Sequence, residues 1–185
     1  MGDVERKLAG YDESVAGDHL VAQLLDGDLI EHTRPAALHV VASSALGEEL
    51  GPPFKRGRGG PGGWVLLDEP EFHLGEDIIV PDLAGWRRER MPEVPDEAYF
   101  TVSPDWVCEV LSPSTHRTDR IRKPSLYARE TVRHVWLIDP YEKLLEVLRL
   151  DGKSYRIVAA ASGAERVRLE PFDAYELDLT VLWAR

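Results

Sequence analysis

The sequence predicts an α/β domain: a mixed central β-sheet flanked by helices, with extra strands toward the C-terminal end. Three observations carry this expectation. The runs Trp106–Leu111 and His134–Ile138 are apolar enough for strands buried on both faces. Leu38, Val41, Ala42, Ala45, Leu46 and Leu50 form the apolar stripe of an amphipathic helix over Ala36–Leu50. Beyond Leu144 the chain breaks into short strand-like segments punctuated by turns.

A chain of 185 residues is long enough to bury one core, so residues 1–185 are expected to form a single domain. Residues 1–15 carry little pattern and read as a poorly ordered lead-in. His19–Leu25 has apolar residues at helical spacing and predicts a short helix. Asp26-Gly27-Asp28 signals a turn, Leu29–Glu31 the start of a strand, and Pro35 the first position of the long helix. The stretch 51–63 (GPPFKRGRGGPGG) is too rich in Gly and Pro for a regular element. Such a loop can approach a phosphate backbone closely, although its glycine spacing matches no nucleotide-binding motif.

Trp64–Leu67 is strand-like, and Glu71–Leu74 alternates, with Glu71 and His73 on one face. The β-branched run Ile78–Val80 follows a Gly75-Glu76-Asp77 turn, which suggests a hairpin whose second strand ends near Asp82. Residues 87–103 form a polar connection. After the buried run Trp106–Leu111 comes a turn of small hydroxyl residues, Ser112–Thr115, and then a helix to about Thr131. On that helix Asp119, Lys123 and Tyr127 recur every four residues and share a face. Pro124 directly follows Lys123, which places the lysine at the helix entrance. Leu144–Leu150 and Tyr155–Ala160 pair around Asp151-Gly152, and Arg166–Leu169 and Tyr175–Leu182 read as closing strands.

Composition narrows the function classes. The net charge of -11 argues against broad non-specific binding to nucleic acid, which depends on neutralising phosphates. It leaves room for a local basic strip beside a metal-binding acid cluster. Cations do cluster, in Lys55-Arg56-Arg58, in Arg87-Arg88-Arg90 and in Arg117-Arg120-Arg122-Lys123. These are either solvated faces or phosphate contacts. The single cysteine, Cys108, lies in a buried run and cannot form a disulfide within the chain. No apolar run approaches the roughly 20 residues that span a bilayer, and the N-terminus has no signal-peptide core. A cytoplasmic location fits these features.

The candidate site is Asp82, Glu109 and Lys123. Carboxylates from the ends of two adjacent strands can hold a hard divalent cation, with water completing the shell. A nearby lysine can orient or deprotonate a bound water and balance charge at a phosphate. Spacing alone also admits Asp82 as a turn cap, Glu109 as the partner of an arginine, and Lys123 as a surface charge. Asp105 lies on the same strand as Glu109, roughly 13 Å away at 3.3 Å per residue, too far to share a cation. Glu71 is a third acid if its strand pairs with that of Asp82. His73 and His39 are weaker candidates, better read as a pairing residue and a core-edge histidine. Cys108 faces away from Glu109, and Tyr127 is expected to pack the helix against the sheet.

The segments VPDLAGW, PDWVCEVLSPST, DRIRK followed by YAR, and VWLIDP resemble the Uma-type restriction endonuclease family of the PD-(D/E)XK nuclease superfamily. The similarity runs from about Asp26 to Leu150. It implies a restriction-endonuclease-like core and a metal-dependent endonuclease acting on DNA phosphodiesters, with Mg2+ (or Mn2+) as cofactor. It implies that Asp82 and Glu109 bind the metal. Leu111 stands where the superfamily's lysine usually lies, and the family resemblance puts Lys123 in its place. Arg87, Arg88 and Arg120 are the candidate DNA contacts, the first two because their loop is expected to leave the Asp82 strand toward the same end of the sheet. A homodimer is expected by analogy. RNA as substrate, and a catalytically silent binding module that keeps the fold, remain open alternatives.

Overall fold

The computed structural model describes residues 20–33 and 36–184. The expected lead-in over residues 1–15, together with His19 and Pro35, lies outside them. Leu20–Leu25 (β1) and Asp28–Thr33 (β2) form an antiparallel hairpin. Asp26 and Gly27 close it, both with positive φ, as a tight primed turn requires. The helix expected over His19–Leu25 is therefore not formed. A six-residue segment cannot sustain a helix on its own, and its backbone is satisfied here by strand partners on both sides.

The expected long helix is present as Ala37–Leu50 (α1). Its buried positions are His39, Ala42, Leu46 and Leu50, whereas Val41 is exposed. The chain continues without a break into a π-helical turn, Gly51–Lys55, which contains Pro52 and Pro53. Prolines lack the N–H that an α-helix needs, and the wider turn accommodates them. Two further strands, Phe72–Leu74 (β4) and Asp77–Ile79 (β5), pair with each other, and β5 pairs with β1.

Among the described residues the main sheet has six strands. They are Trp64–Asp68 (β3), Leu83–Arg87 (β6), Trp106–Val110 (β7), His134–Asp139 (β8), Leu144–Asp151 (β9) and Ser154–Ser162 (β10). Their spatial order is β10-β9-β8-β7-β6-β3, and β7–β8 is the parallel pair in an otherwise antiparallel sheet. Parallel neighbours need a crossover. It is provided by a helical segment whose π-helical turn, Thr118–Arg122, runs directly into Lys123–Arg129 (α2). The N–H of Lys123 reaches the Thr118 carbonyl, and the widened turn comes immediately before Pro124. Lys123 is thus the first residue of α2, with Pro124 in its first turn as expected, and the π-helical turn leads the chain into it.

Side-chain alternation splits the core in two. On one face Trp106, Cys108 and Val110 join Trp64, Trp136, α1 and the C-terminal segment. On the other, Val107, Val135, Leu137 and Trp86 join Leu126 and Tyr127 of α2 and the smaller sheet. The C-terminal segment has little strand: Arg166–Val167 (β11) pairs with Leu177–Asp178 (β12), and a 3-10 helix follows over Leu179–Trp183. The strand expected to extend to Leu182 ends early because Leu179, Leu182 and Trp183 bury themselves at helical spacing.

Gly85, in the middle of β6, is required by packing. A Cβ there would lie 2.8 Å from a Leu66 methyl and 3.2 Å from the rings of Trp64 and Trp106. Gly85→Ala is expected to destabilise the protein by about 1–3 kcal/mol. Urea denaturation should show a lower midpoint with an unchanged slope.

Candidate active site

The site forms where β6 begins and β7 ends. The antiparallel register puts Leu83 opposite Cys108, so Asp82 falls beside the last residues of β7. The Val110 N–H donates to Asp82 Oδ2 at 2.6 Å. The other oxygen, Oδ1, meets His39 Nε2 of α1 at 2.9 Å. The expected hairpin is β4–β5, and its second strand ends at Ile79, just before the short link to β6 that holds Asp82 and connects the two sheets.

Glu109 lies one residue earlier on β7, on the face opposite Cys108, and its side chain is 1% exposed. Lys123 comes to the same face from the helical crossover. Its ammonium has three donors, and three acceptors surround it. They are Glu109 Oε2 at 2.8 Å, Asp119 Oδ1 at 3.1 Å and the Val80 carbonyl at 3.2 Å. One turn further along, the Tyr127 hydroxyl donates to Glu109 Oε1. Both oxygens of this buried carboxylate are therefore held by α2.

The sequence produces this arrangement locally. Ser112 ends the strand run, and its hydroxyl bonds Thr115 Oγ1 at 2.9 Å and accepts from the Thr115 N–H. That turn starts the crossover helix close beneath β7, so Asp119, Lys123 and Tyr127 all face Glu109. Leu111 shares the face of Glu109 but is buried among apolar neighbours. An ammonium there would lack partners, whereas Lys123 reaches the same carboxylate from the helix.

Burial drives the electrostatics. Removing Glu109 from water raises its carboxyl pKa to about 8, aided by the negative Asp119 and Asp82 and opposed by the Lys123 ammonium. Burial alone would lower the Lys123 pKa, but Glu109, Asp119 and Asp82 outweigh it and hold the ammonium above its usual value. Lys123 is thus a fixed cation and cannot take a proton from water. For His39, burial is outweighed by the hydrogen bond and charge of Asp82, with Asp119 and Glu69 adding to it, so its pKa rises. Burial and the adjoining Glu109 push the Tyr127 hydroxyl well up.

With Glu109 holding its proton below about pH 8, Asp82 and Asp119 surround one ammonium and leave negative charge that His39 offsets only when protonated. His39 Nδ1 is also buried without a hydrogen-bond partner among the described residues. A hard-oxygen donor set with excess negative charge suits a divalent cation. Among the described residues no group of three or more His, Cys, Asp or Glu side chains is disposed to hold a metal ion.

Other sequence candidates lie elsewhere. Glu71 immediately precedes β4, which pairs with β5, the strand that leads to Asp82. Its carboxylate is 2.6 Å from His73 Nε2, and the His73 ring stacks on Tyr99. Arg87 and Arg88 leave β6 at the end away from Asp82, because β6 starts next to that aspartate and runs away from it. Arg87 lies 4.1 Å over the Trp64 ring, and Arg88 reaches the Pro92 carbonyl. Arg120 pairs with Glu146 of β9. Asp105 sits at the opposite end of β7 from Glu109, paired with Arg90 at 2.8 Å.

Sequence reasoning undervalued Asp119, Tyr127 and His39 as members of the cluster. The first two were signalled by their four-residue spacing about Lys123. Glu69 gave no signal; its N–H bonds the Asp82 carbonyl at 2.9 Å, a contact set by the β3–β6 pairing. Tyr127→Phe should remove a buried donor from Glu109 and cost about 1–3 kcal/mol of stability in urea denaturation.

The fold matches the crystal structure of a putative nuclease belonging to DUF820 from Anabaena variabilis, with a TM-score of 0.71. The match is 20% identical and covers 95% of this chain and 94% of that one. No curated protein matches the chain. The model of the Uma2 family, described as putative restriction endonuclease, matches residues 11–181, and the chain belongs to that family.

Proposed function

We propose that the protein is a divalent-metal-dependent endonuclease that hydrolyses DNA phosphodiester bonds. The observation that carries this reading is the cluster at the β6–β7 junction. There Lys123 places all three donors on Glu109, Asp119 and Val80, while Asp82 beside them keeps 15% of its side chain exposed. Asp82 and Glu109 would hold Mg2+ or Mn2+, which when bound supplies Lewis-acid activation of the phosphate and of water. Lys123, fixed as an ammonium, offsets negative charge gathering on the phosphate and would orient the attacking water by giving up one of its three protein acceptors. His39 holds the Asp82 carboxylate in place through Nε2. Tyr127 fixes Glu109 from the other side.

Cutting both strands of a duplex favours a homodimer, and the one buried, free cysteine suits the reducing cytoplasm. No helix among the described residues is long and apolar enough to cross a membrane. One observation favours a second reading. Both oxygens of Glu109 and all donors of Lys123 are taken up within the protein, as in a purely structural polar network. A catalytically silent binding module would have that property.

Incubation of supercoiled plasmid and of a matched RNA with the protein, with Mg2+, with Mn2+ and with EDTA, separates these readings. The nuclease reading expects metal-dependent nicking or linearisation of DNA that EDTA stops. Metal-independent DNA binding without cleavage would leave the silent module, and cleavage confined to RNA would replace the substrate.

A further inference from the structure

We infer that the edge of the main sheet along β3, together with the glycine-rich loop 56–63, is the track on which the nucleic-acid backbone lies as it leaves the cleavage site. The inference rests on the nuclease reading and adds the path of the substrate.

The β3–β6 ladder connects two chemically different ends. At one end Asp68 pairs with Leu83, next to Asp82; at the other Trp64 pairs with Arg87. The four residue steps between them span about 13 Å, or roughly four base steps of a duplex strand at 3.4 Å each. The far end is basic. Arg87 stacks over Trp64, and the Arg88 N–H bonds the Gly63 carbonyl at 2.9 Å, which ties the glycine-rich loop to the arginines. Lys55 ends the π-helical turn before this loop, and Arg56 and Arg58 lie at the loop's start.

That loop is folded back rather than splayed. The N–H groups of Arg58 and Gly62 bond the carbonyls of Pro52 and Pro53, each at 2.8 Å. A Cβ on Gly60 would lie 2.5 Å from Pro53, so only glycine permits this close return. Lys55, Arg56 and Arg58 are exposed and form no ion pair among the described residues, unlike Arg90, Arg120, Arg122 and Arg129. In a chain of net charge -11, a run of unpaired cations on one edge is a local attraction for phosphate.

A cleft of about 440 Å³ opens between the Asp68–Leu83 end and the cations Lys55 and Arg56, walled also by Gly47 and Pro52. Glu48 also lines it, and its charge and that of Asp68 repel phosphate. The backbone therefore rides on the outer cations, while a base, whose exocyclic amine can donate to those carboxylates, faces the cleft. This placement gives a role to Arg87, which lies at the end of β6 away from Asp82 and opposite Trp64 of the edge strand.

The test is fluorescence anisotropy of a labelled duplex oligonucleotide in EDTA, titrated with the protein between 50 and 200 mM salt. Each phosphate contact contributes about 0.9 to the slope of log K against log salt. The combined variant Lys55→Ala, Arg56→Ala, Arg58→Ala should flatten that slope by about 2 to 3 units. The combined variant Lys143→Ala, Lys153→Ala, which removes exposed lysines elsewhere, should keep the wild-type slope. A wild-type slope in the first variant overturns the track while leaving the nuclease reading standing, provided the wild type cleaves plasmid. Wild-type protein that neither binds the duplex nor cleaves plasmid overturns both.

Discussion

Lys123→Met is expected to abolish cleavage and to lower stability by about 3–5 kcal/mol, because it strands buried carboxylates without a cation. Lys123 donates to both Glu109 and Asp119, whose side chains are 1% and 5% exposed. Methionine fills the volume of the lysine stem, so the loss reports charge rather than a cavity. The variant also has a signature that a packing defect lacks. Without the ammonium Glu109 holds its proton more tightly, so between pH 8 and pH 10 the variant should go on losing stability where the wild type has levelled off. Thermal and urea unfolding across that range provide the measurement. A methionine variant as stable as the wild type at pH 8 would show that the Lys123–Glu109 pair does not anchor this corner of the fold.

Glu109→Gln should remove more than about 100-fold of the activity, since even partners that only orient a metal ligand are worth 10- to 100-fold. Its effect on stability runs the other way with pH. The folded-state pKa of Glu109 is raised from 4.5 to about 8, so between those values the native state binds more protons than the unfolded chain. Stability from this group is fully present below pH 4.5 and is lost as pH rises through 8. In metal-free buffer the wild type should lose about 2–5 kcal/mol of stability over that interval from this group alone. Glutamine has no proton to release, so the variant should show a flatter profile. Parallel pH profiles for the two proteins would mean that Glu109 is not the buried acid described here.

The sheet was legible because burial on both faces leaves a plain mark. Trp106–Leu111 and His134–Ile138 could only be central strands, and they became β7 and β8. The turn at Asp26-Gly27 was equally plain, yet the six residues before it looked helical, since leucine spacing carries no information about partners across a hairpin. The crossover helix starts at Lys123 with Pro124 in its first turn, where a proline belongs, and the sequence did not signal the π-helical turn before it that brings Asp119 onto the face of Lys123 and Tyr127.

For the site, sequence proximity and spacing connected Glu109 to the helix of Lys123. They could not show that Lys123 has three acceptors, one of them a backbone carbonyl, or that Arg87 leaves at the wrong end of its strand. Strand direction depends on which neighbours pair, and Leu83 and Arg87 differ in sequence by only four positions.

Isothermal titration of Mn2+ into the wild-type protein and into Asp82→Ala tests the central claim most directly. The account predicts saturable binding to the wild type that disappears in the variant, while the variant still unfolds cooperatively. Absence of binding to the wild type even with duplex DNA present, or equal binding by both proteins, would contradict a metal site at Asp82 and Glu109.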